Sequence, residues 1–200
     1  MNMHYPNKKN IVLDNPLNHD KHYTAGRGMN LEEAISESNQ YYLDHDLAVI
    51  YKKPTPIQIV KVEYPVRTAA KITEAYYRKP STTDYNGLYK GCYIDFEAKE
   101  TKFKNRFPFA NIADHQIEHL KHIKDHGGIA FLIIAFTSLD EVYLLDASYM
   151  INHYYQKSPR HLSYDFIKKM GHLIKQSYAP RLDYLKIVDE FYLRRSSHES

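Results

Sequence analysis

Three residues whose types and spacing could do chemistry lie close together in this 200-residue chain: Asp84, then twelve intervening residues, then Glu97-Ala98-Lys99. Two carboxylates a few ångströms apart repel each other unless a hard divalent cation sits between them; Mg²⁺ is the natural occupant, with Mn²⁺ as a substitute. An ammonium beside such a cation can orient or deprotonate a water and offset charge on a phosphate. The set suits phosphodiester hydrolysis. Asp84 and Glu97 would hold the metal, joined by the main-chain carbonyl of Ala98, and Lys99 would position the attacking water. An isolated Glu-x-Lys on a strand, by contrast, is an ordinary exposed salt bridge.

The elements that must position these groups are legible around them. Residues 84–100 read as an antiparallel hairpin, because Asn86-Gly87 and Lys90-Gly91 offer positive-φ turn positions while Tyr93, Ile94 and Phe96 favour strand. Ile94, Phe96 and Ala98 fall on one face and Asp95, Glu97 and Lys99 on the other. Asp95 shares the charged face and can compete for a cation there. Upstream, Asn30 caps a helix running to residue 43, with Leu31, Ala34, Ile35 and Ser38 on one face and Glu32 and Glu33 in its first turn. A buried strand at 47–51 ends in Lys52-Lys53-Pro54-Thr55-Pro56, where two prolines remove ladder donors. Residues 57–64 alternate without a clean apolar face, as a strand running out from the body or pairing with a partner subunit would, and residues 67–80 read on their own as a solvated loop with a helical turn. Downstream, a helix at 112–125 stops at Gly127-Gly128, and the unbroken apolar run 129–136 marks a central strand covered on both faces. A strand at 141–145 and helices at 148–155, 164–174 and 183–193 complete the chain. The fold class is α/β: a mixed sheet with helices on both faces, built on strands near 47–51, 57–64, 82–89, 91–100, 129–136 and 141–145.

Composition sets the frame. With 43% hydrophobic residues the chain suits one domain, residues 26–193, between a polar arm at 1–25 and a frayed tail at 194–200. The lone Cys92 cannot form an internal disulfide, and no apolar run approaches the roughly 20 residues that span a bilayer. A polar N-terminus without a signal-type apolar region points to the cytoplasm. Net charge is only +3, but residues 51–106 carry 12 Lys or Arg against 6 Asp or Glu, so positive charge concentrates round the proposed site. Nineteen tyrosines and no tryptophan add rings that can stack on bases. Lys102, Lys104 and Arg106 line the strand exit, where flanking phosphates would lie.

One rival motif is present. His115-Gln116-Ile117-Glu118-His119 matches His-x-x-Glu-His, the inverted zinc-peptidase pattern, with two histidines one helical turn apart and Glu118 as base. A third-ligand helix is not identifiable downstream. Neither a Walker loop nor a dinucleotide fingerprint occurs.

Several longer words carry a resemblance: Lys53-Pro54-Thr55-Pro56, Ser81-Thr82-Thr83-Asp84-Tyr85-Asn86-Gly87, Tyr93-Ile94-Asp95-Phe96-Glu97-Ala98-Lys99-Glu100-Thr101, Asp114-His115-Gln116-Ile117-Glu118-His119 and Tyr178-Ala179-Pro180-Arg181. Together with the Asp-(x)n-(Asp/Glu)-x-Lys spacing they resemble RecU-type Holliday-junction resolvases, of restriction-endonuclease-like fold, over nearly the whole chain. Thr83 departs from the proline that this fold's signature often has before its aspartate. The resemblance implies a junction-resolving endonuclease acting in recombination and repair, on a four-way DNA junction and alongside other recombination proteins. It further implies a metal-facing Glu32, or Glu33, on the first helix and a site glutamine, Gln116, on the helix after the hairpin. The insertion at about 53–80 would form a projecting stalk, with Arg67 contacting the junction. The DNA-facing set is then Arg27, Lys53, Arg67, Lys71, Tyr76, Arg78 and Lys79 before the hairpin, with Lys102, Lys104 and Arg106 after it. Two symmetric nicks across a two-fold junction call for a homodimer. The competing class is a DNA-binding or strand-annealing protein whose acids are structural, and a nuclease of the same fold indifferent to junctions is a third reading.

Overall fold

The structure is a computed structural model that describes residues 30–65, 67–78, 82–156 and 159–194. The N-terminal arm, Arg27, Lys79 and the tail after Arg194 lie outside the described residues.

Helix α1 (Leu31–Asp44) begins where its cap predicts, the Asn30 side chain accepting from the Glu33 N–H at 3.3 Å. Its buried stripe includes Leu31, Ala34, Ile35 and Ser38. Strand β1 (Val49–Lys52) follows. Strands β2 (Ile57–Glu63) and β3 (Lys71–Tyr77) then pair with each other as a separate ribbon, with a 3₁₀ turn at Arg67–Ala69 between them. The 57–64 strand therefore runs out from the body rather than joining the main sheet, and of the 67–80 reading the helical turn is present while residues 71–77 are strand, not loop. Nearly every residue of the ribbon is exposed, so no burial period could mark β3 as a strand.

The hairpin is β4 (Tyr85–Tyr89) and β5 (Cys92–Thr101), turning at Lys90 (φ 48°) and Gly91 (φ 79°). Asn86-Gly87 is not a turn but lies inside β4. Glycine serves there by its size: a Cβ at residue 87 would stand 2.1 Å from the Val49 carbonyl oxygen of β1. Beyond β5 come β6 (Arg106–Pro108), α2 (Asp114–Asp125), β7 (Ile129–Phe136), β8 (Glu141–Asp146) and α3 (Ala147–Tyr155). The chain continues through β9 (His161–Ser163), α4 (Tyr164–Met170), β10 (His172–Leu173) and α5 (Tyr184–Val188), which runs into a π-helical turn, Asp189–Leu193. The helix expected at 164–174 ends at Met170 and gives way to a short strand; Gly171 caps it where an added Cβ would stand 2.6 Å from the Ile167 carbonyl oxygen. The helix expected at 183–193 is α5 plus that wider turn.

Among the described residues six strands form one mixed sheet in the order β1-β4-β5-β7-β8-β10, with β5 and β7 parallel and the other pairs antiparallel. One face, bearing Ile94, Phe96, Phe131 and Ile133, packs with α1 and α5 residues such as Ile35 and Leu185. The other, bearing Ala130, Leu132 and Ile134, packs with Ile117 and Leu120 of α2 and Met150 of α3. The arrangement is consistent with a restriction-endonuclease-like fold. None of the helices among the described residues is long and apolar enough to cross a membrane.

Candidate active site

Hairpin register decides where the acids fall. Tyr85 pairs with Phe96, so Asp84, one residue before β4, arrives opposite Glu97. Its N–H donates to Glu97 Oε2 at 3.1 Å. Lys99 Nζ lies 2.5 Å from Glu97 Oε1 and 3.9 Å from Asp84 Oδ2. The three groups singled out by spacing therefore meet in space.

They do so on a covered face. Across the β5–β7 ladder Asp95 pairs with Ala130, Glu97 with Leu132 and Lys99 with Ile134, so the acids share the sheet face that α2 and α3 pack against. Asp95 and Glu97 are fully buried, which separates this strand from one carrying an exposed salt bridge. Burial, and then the hydrogen-bonding contact with Asp84, push the Glu97 carboxyl up to about 8, while Lys99 pulls it down. Glu97 Oε1 has the Lys99 ammonium against it at 2.5 Å, and that contact offsets part of the cost of burying the carboxylate. A buried carboxylate raised by desolvation, next to a second acid, fits a hard divalent cation.

A pocket of about 610 Å³ opens over this point, lined by Asn30, Leu31, Glu32, Asp84, Ala98, Lys99 and Glu100. The start of α1 forms one wall because the Leu31 N–H donates to Glu100 Oε1 at 2.9 Å. Ala98 contributes to the wall, with its carbonyl as a candidate third oxygen. Glu32, not Glu33, lines the pocket, and its Oε2 lies 2.5 Å from Lys52 Nζ. Among the described residues no three His, Cys, Asp or Glu side chains converge as a metal-holding group. A cation here would rest on two carboxylates and main-chain oxygen, with Glu32 across the pocket. Asp84 and Glu32 also border a second cavity of about 410 Å³, which runs along residues 52–56 toward the ribbon.

Gln116 is buried, and its Oε1 accepts from the Ala113 N–H at 3.0 Å, capping α2 from within; it is not on the pocket wall. His119 of the rival zinc motif turns its Nε2 toward Asp95 Oδ2 at 3.2 Å. Lys71, Tyr76 and Arg78 stand exposed on or just beyond β3, and Lys102, Lys104 and Arg106 are exposed beyond the site. Arg106 sits over the Phe103 ring at 4.6 Å. Lys53 differs from these basic residues, because its ammonium donates to Asp95 and Thr83. Arg67 opens the 3₁₀ turn of the ribbon.

Sequence reasoning missed Asn30, Lys52 and Glu100 as site neighbours. Glu100 falls on the opposite face of the pleat from Glu97, and only the docking of α1 carries it to the pocket. Lys52 had a signal, its adjacency to the proline pair, but its partner Glu32 is 20 residues away.

A mixed sheet whose central hairpin gathers Asp84, Glu97 and Lys99 beside the first helix defines a restriction-endonuclease-like protein of the Asp…Glu-x-Lys class. The family model of recombination protein U matches residues 26–190, and the chain belongs to that family. It is 51% identical over 198 residues to the Holliday junction resolvase RecU of Bacillus cytotoxicus, covering 96% of this chain and 99% of the relative. It is 52% identical over 175 residues to the protein of the same name from Bacillus cereus, covering 86% and 88% respectively. Membership in this nuclease family implies a divalent metal cofactor.

Proposed function

We propose that this protein resolves Holliday junctions in DNA recombination, cutting phosphodiesters by Mg²⁺-dependent hydrolysis. The observation that carries the reading is the convergence of Asp84, buried Glu97 and Lys99 beside a pocket that Asp84 and Lys99 line. A bound divalent cation would polarise the scissile phosphate and acidify a water. Asp84 and Glu97 would hold it, joined by the Ala98 carbonyl, with Glu32 across the pocket. The Lys99 ammonium orients the water and offsets charge that develops on the phosphate. Lys102, Lys104 and Arg106 hold phosphates on one side of the cut. The ribbon, with Arg67, Lys71, Tyr76 and Arg78, meets the open centre of the junction. Gln116 supports the site through the start of α2.

Paired nicks call for a homodimer. In support of self-association, Val49, Leu88 and Tyr93 pair in register across β1, β4 and β5 and form an exposed apolar row.

The test is cleavage of a labelled synthetic four-way junction against an equal-length duplex, with and without Mg²⁺. Symmetric nicks in the junction alone, only with the cation, are expected. Tight junction binding with no nicks in any divalent cation would refute catalysis and favour a binding protein.

A further inference from the structure

Asp95 takes no part in the pocket, although it lies two residues from Glu97 on the same strand face. Its carboxylate is fully buried and heavily engaged. Lys53 Nζ donates to Oδ2 at 2.8 Å, the Tyr93 hydroxyl donates to Oδ2 at 3.0 Å, and His119 Nε2 lies 3.2 Å from Oδ2. The Thr83 hydroxyl donates to Oδ1. With both oxygens occupied, Asp95 is poorly placed to serve as a metal ligand.

What it grips is informative. Thr83 immediately precedes Asp84, and Lys53 reaches Asp84 from the other side, its main-chain N–H donating to the Asp84 carbonyl at 2.7 Å. Lys53 Nζ also donates to Thr83 Oγ1 at 2.8 Å, closing a triangle of residues 53, 83 and 95. Asp84 itself stands just outside the β4–β5 ladder, which ends at the Tyr85–Phe96 pair. Ladder pairing alone therefore does not set the direction of its carboxylate. Lys53 further marks the point where the chain leaves β1 for Pro54, Pro56 and the exposed ribbon.

We propose that Asp95 is a positioning residue: through Thr83 and Lys53 it fixes the main chain at Asp84, and so holds the Asp84 carboxylate against Glu97. The inference rests on the nuclease reading above. A buried carboxylate neutralised by one ammonium and satisfied by further donors is a rigid node, since any displacement leaves charge unpaired away from water. Displacing a reacting group by about 1 Å costs about a hundredfold in rate.

The test uses the full chain in single-turnover cleavage of a four-way junction, with junction Kd and urea midpoint measured on the same samples. Asp95→Asn and Thr83→Val should each slow cleavage about a hundredfold while the protein stays folded and binds the junction within about threefold of wild type. Thr83→Ser, which keeps the hydroxyl, should recover cleavage to within about threefold of wild type. The double variant Thr83→Val/Asp95→Asn should be no slower than the slower single variant, because both remove one device. If Asp95→Asn fails to fold, the Thr83 pair decides. Wild-type cleavage in folded Thr83→Val would overturn the proposal alone, as would losses that merely follow the unfolded fraction. A wild-type protein that nicks no junction would overturn the nuclease reading and this inference with it.

Discussion

In the cation-free protein, Glu97→Gln should stabilise the fold at alkaline pH, although the same change removes cleavage. The wild-type carboxyl sits at about 8, against 4.5 for an unperturbed glutamate, because it is buried and touches Asp84. The folded state then keeps a proton that the unfolded chain gives up. Wherever the folded state binds more protons, stability falls as pH rises, so the loss begins near pH 4.5 and is complete above pH 8. At about 1.4 kcal/mol per pH unit, the shift corresponds to about 5 kcal/mol. Glutamine cannot titrate, so its contribution is flat through that window. Urea unfolding in chelator at intervals from about pH 5 to pH 9 should give curves that nearly meet at the acid end and diverge steadily, the glutamine variant above. Adding a divalent cation should reverse the order, because only the wild type gains binding energy in the folded state. Parallel curves, or a glutamine variant less stable than wild type at pH 9, would refute the claim that Glu97 is held as a destabilised acid.

Three further outcomes follow from single features of the structure. Lys99→Met should lose about a hundred- to a thousandfold in single-turnover cleavage while still binding a divalent cation, since its ammonium acts on water and phosphate; loss of cation binding would place Lys99 wrongly. Gly87→Ala should destabilise the fold by about 1–3 kcal/mol in urea unfolding, because the new Cβ meets the Val49 carbonyl at 2.1 Å. Replacing Lys102 and Lys104 by Ala should weaken binding to junction and duplex alike and lower the salt slope by about 2, the signature of lost phosphate contacts.

The parts of this fold that were legible in the sequence are those where burial writes a period. β7 announced itself as an apolar run, α1 by its cap and stripe, and β5 by its alternation. The meeting of Asp84 with Glu97 followed from a hairpin of the right length, even though the turn was placed at two positions and only Lys90-Gly91 makes it. What stayed hidden had no such signature. β3 is exposed throughout, and β6, β9 and β10 are two or three residues long. Asp95 reads in the sequence as a competitor for the cation, because nothing in the neighbouring residues reveals that Lys53, Thr83 and His119 occupy its oxygens. Glu100 was invisible for a related reason: its role depends on a helix end 69 residues away. Charge alternation on a strand shows which acids share a face, but not whether that face is wet.

The central claim is that Asp84 and Glu97 share one divalent cation, and calorimetric titration of the DNA-free protein with Mn²⁺ near pH 7, run in two buffers of different ionisation enthalpy, tests it most directly. The account predicts one ion per chain, bound with release of about one proton because Glu97 is largely protonated beforehand, and loss of that binding in both Asp84→Asn and Glu97→Gln. Unchanged Mn²⁺ binding in either variant, or binding without proton release, would contradict it.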